Sequence, residues 1–184
     1  EWHNEPAGTG ALAEQLENGN FQMAVVLTEG MVRHIAKGSK CKIIGGFIAS
    51  PLIWGIHVPF QSAINHPSEM EGKRYAISRM GSGSHLMAFV DAKNRGLTIN
   101  TEQLVVTGGL EGTRKAFAQN EADLLLWEKF ITSPLVRNKE FKCIGECITP
   151  WPCFVLAINP AFEASYLDWA ELLIHTMNSA CRLF

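Results

Sequence analysis

The stretch Tyr75-Ala76-Ile77-Ser78-Arg79-Met80-Gly81-Ser82-Gly83-Ser84-His85 decides the fold class. Its first four residues read as a short apolar strand, and Leu86, Phe89 and Val90 continue at helical spacing. A Gly/Ser loop between strand and helix leaves backbone N–H groups without intrahelical partners. Those donors, the Ser82 and Ser84 hydroxyls and the positive end of the helix dipole suit an anion or the polar head of a ligand. Gly-Ser-Gly-Ser alone is a weak motif and equally describes a plain polar turn. Its place between strand and helix makes Ser82, Gly83, Ser84 and His85 candidate ligand-binding residues, although His85 by itself is an ordinary polar helix residue.

Outward from this loop the chain alternates strand and helix, the pattern of an α/β fold. Gly8-Thr9-Gly10 opens a helix carrying Leu12 and Leu16, and Asn18-Gly19-Asn20 closes it. Met23 to Leu27 is a continuous apolar strand of the kind buried on both faces. A short helix from Gly30 to Lys37 ends at Gly38. Strands are expected at 42–44, 53–58, 104–107, 123–127, 141–145 and 153–158, with Gly108-Gly109 opening a further helix. From Phe162 onward the pattern is helical. His57 reads as a hinge or surface residue.

Composition narrows the function classes. Among 184 residues, 47% are hydrophobic and 18% charged, which fits a folded core. A net charge of −2 with scattered Lys and Arg gives no case for a nucleic-acid partner. No apolar run approaches the roughly 20 residues of a membrane helix. Cys41, Cys143, Cys147, Cys153 and Cys181 show no CxxC spacing, and the histidines lack ligand spacing, so free thiols and no metal site are expected. Glu1-Trp2-His3-Asn4-Glu5-Pro6 reads as neither a secretory signal nor a natural start, which suggests a fragment or processed chain. Free cysteines without a signal favour the cytoplasm; a removed N-terminus would fit a periplasmic or membrane-associated protein.

An internal echo links two regions. Gly8-Thr9-Gly10, a helix, an apolar strand and Thr28-Glu29-Gly30 are followed later by Gly108-Gly109, a helix, Asp123-Leu124-Leu125-Leu126 and Trp127-Glu128-Lys129. Duplication and the general likeness of βαβ units both account for it. Ligands of open α/β sheets sit outside the carboxyl ends of strands, which adds Gly8, Thr9, Gly10, Glu29 and Glu128 to the candidates. Thr9 also suits a helix N-cap, and a glutamate after a strand is commonly a solvated loop residue. If they face a ligand, the two glutamates favour a neutral or amine-bearing ring, such as an aminopyrimidine, over a sulfonate. Trp54, Trp127 and Trp151 each suit core packing; Trp151, stiffened by Pro150 and Pro152, is the aromatic candidate. No catalytic residue and no cofactor is expected.

Three stretches carry a family resemblance. Asn18-Gly19-Asn20-Phe21-Gln22-Met23-Ala24 resembles a "G-x-x-D-x-A" element, with Gln22 where Asp is usual. Lys73 to His85 is similar to the strand and Ser-rich loop that opens a second lobe, and Asn120 to Glu128 is similar to that lobe's "G-x-x-D-A" strand. Together they resemble the type 2 periplasmic-binding-protein fold, in the branch of sulfonate- and thiamine-precursor-binding proteins, nearest a thiamine-biosynthesis-like subgroup. The resemblance implies two α/β lobes around a ligand cleft, residues 1–57 with 159–184 and residues 58–158. The crossings lie near Trp54–Val58 and Phe154–Ile158. It also implies a first strand and helix ahead of Trp2 and residues beyond Phe184 that this sequence does not contain. The implied function is a small-molecule binding protein, the substrate-binding component of an ABC-type transporter, with a permease as its partner, or a related receptor, closing two lobes over a small polar or heteroaromatic ligand of thiamine-precursor or sulfonate-like type. Two alternatives stay open: a thiamine-pyrimidine biosynthesis-like enzyme and an intracellular ligand sensor. The fungal enzymes of that synthesis carry a Cys-Cys-Cys-Phe-Cys motif, to which Cys143-Ile144-Gly145-Glu146-Cys147 is not equivalent.

Overall fold

A computed structural model describes residues 1–5 and 7–183. Pro6 and Phe184, within the opening and closing stretches of the sequence reading, lie outside the described residues. The elements in chain order are α1 (Thr9–Glu17), β1 (Met23–Leu27), α2 (Thr28–Ala36), β2 (Lys42–Ile48), β3 (Ile53–Pro59), β4 (Tyr75–Ile77), α3 (Gly83–Arg95), β5 (Leu104–Val106), α4 (Leu110–Ala118), β6 (Leu124–Glu128), α5 (Lys129–Arg137), β7 (Phe141–Ile148), β8 (Phe154–Ile158) and α6 (Pro160–Cys181). Single 3₁₀ turns stand at Pro67–Glu69 and Thr101–Gln103. The expected strands and helices are present. The sequence reading assigns no element between 128 and 140; α5 lies there and carries Pro134 internally.

The chain forms two compact units, residues 1–50 with 151–184 and residues 51–150. The expectation drew the changeovers after 57 and 158. The shift follows from strand pairing: β3 bonds along its length to β6 and β7, and β8 bonds to β1 and β2, so each strand belongs wholly to one unit.

The first unit holds a three-stranded sheet in the order β1-β8-β2, with β8 antiparallel to both neighbours. Leu16, Val26, Met31 and Ala157 form its dry core with Ala13 and Cys41. β1 was expected to be buried on both faces. Instead Ala24 and Val26 are buried while Met23, Val25 and Leu27 are half-buried, because β1 pairs with β8 on one side and its residues also line a cavity of about 780 Å³ with Glu1–Glu5. α6 is capped by Asn159, whose side-chain oxygen accepts from Ala161 N–H (2.9 Å) and Phe162 N–H (3.0 Å). Beyond a non-helical residue, Tyr166, it exposes Leu167, Trp169 and Leu172.

The second unit holds a five-stranded mixed sheet in the order β5-β4-β6-β3-β7. β4 runs parallel to both β5 and β6. Leu124, Leu125 and Leu126 of the central strand β6, which is parallel to β4 and antiparallel to β3, are buried on both faces of the sheet. A two-pronged Arg74–Asp123 ion pair (Nε–Oδ2 3.0 Å, Nη2–Oδ1 2.8 Å) pins the amino ends of β4 and β6. His57 is a correction to the reading as hinge or surface: it is 1% exposed and its Nε2 lies 2.8 Å from Thr132 Oγ1 in α5. Burial pushes its pKa down to about 4, so the imidazole is neutral at physiological pH.

Candidate functional site

Because β4, β5 and β6 are mutually parallel, their carboxyl ends share one edge of the second unit's sheet. That edge gathers the N-termini of α3, α4 and α5. Each such terminus presents unpaired N–H groups and partial positive charge.

The Gly/Ser loop supplies the first. Ser82 caps α3, its hydroxyl accepting from His85 N–H at 3.3 Å. Ser84 Oγ accepts from Ser78 N–H at 3.0 Å and lies 3.0 Å from Ser82 Oγ. Both serines are buried, and Gly81 N–H donates to His85 Nδ1 at 2.8 Å. The loop is thus stitched internally, with Gly83 and His85 half-buried at its surface. The second terminus opens at Gly109, which offers no side-chain cap. Thr107 Oγ1 instead lies 2.8 Å from Thr113 Oγ1, and Gly108 N–H donates to Ser78 O at 3.0 Å, tying this loop to the first. Sequence reasoning left Thr107 and Gly109 out of the site; the signal was the Gly-Gly pair after a strand. The third terminus is filled by the chain itself. Both carboxylate oxygens of Glu128 accept backbone N–H groups, from Phe130 at 2.9 Å and Ile131 at 2.7 Å.

The first unit brings α1 and α2 together at the carboxyl end of β1. Gly8, at φ 81°, is the N-cap of α1 and makes no side-chain bond. Thr9 is therefore not the cap: its hydroxyl accepts from Leu27 N–H at 3.1 Å, linking the start of α1 to the end of β1. Gly10 follows, half-buried, in the first turn of α1. Gly30 packs so closely that a Cβ there would stand 2.4 Å from the Thr9 methyl. Thr28 Oγ1 donates to Pro152 O at 2.5 Å, which brings the Trp151 segment to the same place. There Trp151 Nε1 donates to Glu29 Oε2 at 2.9 Å. Glu29 is 9% exposed, and its Oε1 is buried with no hydrogen-bond partner. Burial raises its pKa above the ordinary carboxylate value, opposed by its own backbone N–H and the Trp151 indole.

The candidates thus fall into two groups. Gly8, Thr9, Gly10, Glu29 and Trp151 come together in the first unit, and Ser82, Gly83, Ser84, His85 and Glu128 lie along one sheet edge in the second. Among the described residues, no group of three or more His, Cys, Asp and Glu is arranged to hold a metal ion, and no helix is long and apolar enough to cross a membrane.

Residues 54–147, which include β3 from its second residue, all of β4 to β6 and the three helix N-termini of that edge, match the profile of the Ca3427-like PBP family. The chain belongs to the Ca3427-like PBP family. The Candida albicans CA3427 gene product, described as defining a new family with the generic periplasmic binding protein fold, superposes with a TM-score of 0.90. It is 25% identical, over 100% of this chain and 61% of its own length. The alkanesulfonate-binding protein SsuA from Xanthomonas axonopodis pv. citri, bound to MOPS, gives 0.81 at 18% identity, over 96% of this chain and 61% of its own. The aliphatic sulphonate-binding SsuA from Escherichia coli gives 0.76 at 16% identity, over 95% and 60%. This chain therefore spans about three-fifths of each of these relatives. No curated protein sequence matches it. The α/β periplasmic-binding-protein fold expected from Lys73–His85 and Asn120–Glu128 is the fold observed, and it is one whose neighbours bind small ligands.

Proposed function

We propose that this Ca3427-like protein is a small-molecule binding protein that serves as the substrate-binding component of an ABC-type transporter or a related receptor. The observation that carries the reading is found within each unit taken by itself: helix N-termini stand at strand carboxyl ends, two in the first unit and three in the second. This is where open α/β sheets hold ligands. The ligand is small and polar or heteroaromatic, and it is held by backbone N–H groups and a few polar side chains rather than by a metal. The family membership and the sulfonate-binding neighbours support the same class of function.

The test is to denature the purified protein and identify the released small molecules by mass spectrometry, then to return each one to refolded protein in a thermal-shift titration. A compound recovered unaltered that raises the melting temperature supports the binding reading. A compound that is consumed on incubation replaces it with the thiamine-pyrimidine biosynthesis-like enzyme. Absence of any bound or stabilising small molecule overturns both.

A further inference from the structure

We propose that the cavity of the first unit is a strand-acceptor site: it takes a single extended apolar polypeptide segment, which none of the chain's described residues supplies, against the open edge of β1. The inference goes beyond the binding reading and concerns the side of β1 that faces away from β8.

β1 has the composition of an interior strand and the position of an edge strand. Met23-Ala24-Val25-Val26-Leu27 is apolar throughout, the pattern of a strand with neighbours on both sides, yet it pairs with β8 alone. Edge strands are ordinarily blunted by charge, proline or a bulge. β2, at the other edge of this sheet, is blunted: it opens with Lys42, and its register slips between Ile43 and Gly45 and again between Gly46 and Ile48. The register of β1 on β8 runs unbroken from Met23 to Leu27. Asn159 N–H donates to Gln22 O (2.9 Å) and Thr28 N–H to Cys153 O (3.1 Å). In this antiparallel pair, therefore, Ala24 and Val26 exchange bonds with β8, and the N–H and C=O groups of Met23, Val25 and Leu27 point the other way. Those of Leu27 are already used: the Thr9 hydroxyl accepts its N–H at 3.1 Å, and its C=O, at the N-cap, starts α2. Met23 and Val25 keep two donors and two acceptors with no partner among the described residues. Both residues line the cavity, together with Leu12, Phe21 and the Glu1–Glu5 segment, whose His3 ring stacks on Phe21 at 5.9 Å. A strand residue fills roughly 160 Å³, from a rise of about 3.3 Å, a strand spacing of about 4.8 Å and a layer about 10 Å thick. The cavity of about 780 Å³ thus holds about five residues, the length of β1. A second copy would bring its own neighbouring strand onto Glu1–Glu5 about 4.8 Å further out, so a lone segment fits where another sheet edge does not.

The decisive experiment is amide hydrogen exchange of the intact chain, followed by NMR, with the capped peptide Lys-Val-Ile-Val-Ala-Val-Lys as probe. The control is the same peptide with proline at its central valine, which withholds a ladder donor. The probe is expected to slow exchange at Met23 and Val25 at least tenfold and to leave Ala24 and Val26, already bonded to β8, unchanged; the control peptide does neither. Val25→Pro, which removes an open-edge donor and spares the bonds to β8, should abolish the effect. Met23→Lys, which sets a charge on the same strand edge, gives the second reading where circular dichroism shows that Val25→Pro does not fold. Exchange at Met23 and Val25 that a saturating probe leaves unchanged, or that the proline peptide slows equally, overturns the proposal. So does slow exchange at both residues without any probe that quickens on dilution, which would place a second copy at this edge. None of these outcomes bears on the ligand-binding reading, which its own test decides.

Discussion

Glu29 and Glu128 stand at like places in the two units, each where an apolar strand hands over to a helix, and the chain uses them in opposite ways. Glu128 is the N-cap of α5, and both of its oxygens fold back onto the N–H groups of Phe130 and Ile131. Glu29 sits two residues beyond the N-cap of α2, which is Leu27. From the cap position a carboxylate reaches the open N–H groups of its own helix. From two residues further on, the carboxylate is eased by its own backbone N–H and the Trp151 indole, and one oxygen is left without a hydrogen-bond partner. A two-residue offset converts a structural cap into a buried acceptor.

The comparison extends to the glycines that let these ends pack. In the second unit a Cβ on Gly112 would stand 1.7 Å from the Thr107 carbonyl oxygen, a backbone atom that cannot step aside. Gly112→Ala is therefore expected to have the largest effect, a loss of about 3 kcal/mol, read from the urea unfolding midpoint. A loss under half of that would show that this edge is looser than the first unit's corner. Gly30→Ala meets side-chain atoms of Thr9, the methyl at 2.4 Å and Cβ at 3.2 Å. The expected loss is about 1–2 kcal/mol, and Thr9→Ser, which removes the methyl and keeps the hydroxyl for Leu27 N–H, should restore most of it. Failure of that rescue would separate the two helix starts that the structure presses together.

Next in size is Glu128→Ala, expected to cost about 1 kcal/mol through loss of the cap. Glu29→Gln should move the other way. The folded-state pKa of Glu29 is raised by burial, so its protonated form is favoured in the native protein. Its contribution is fully present below the unfolded value of 4.5 and is lost as pH rises through the higher folded value. Glutamine escapes that loss, so Glu29→Gln should match wild type in acid and gain relative stability across that window. A variant less stable than wild type at neutral pH would mean that the ionised carboxylate is held by partners, as Glu128 is.

Much of this was legible in the sequence, and the rest was hidden for definable reasons. Strand, loop and helix around Ser82–His85 followed from period and glycine placement, and so did the order of elements on either side. α5 was hidden because Pro134 argues against a helix interior and only the surrounding packing overrides it. The burial of His57 was hidden because a lone histidine in a strand carries no mark of which face it occupies. The inward bonding of Ser82 and Ser84 depends on hydroxyl rotations that no spacing encodes, and the Trp151–Glu29 bond joins residues 122 positions apart.

The carboxylate that caps α5 has a consequence for traffic at its rim. It is a tethered competitor, held at an effective concentration far above that of any free metabolite. An anion arriving at that helix start must evict a group that re-forms its two bonds by a simple rotation. The second unit thus closes one of its three positive helix ends to sulfate, phosphate and nucleotide with a carboxylate of its own, whereas the α4 end at Gly109 carries no side-chain cap.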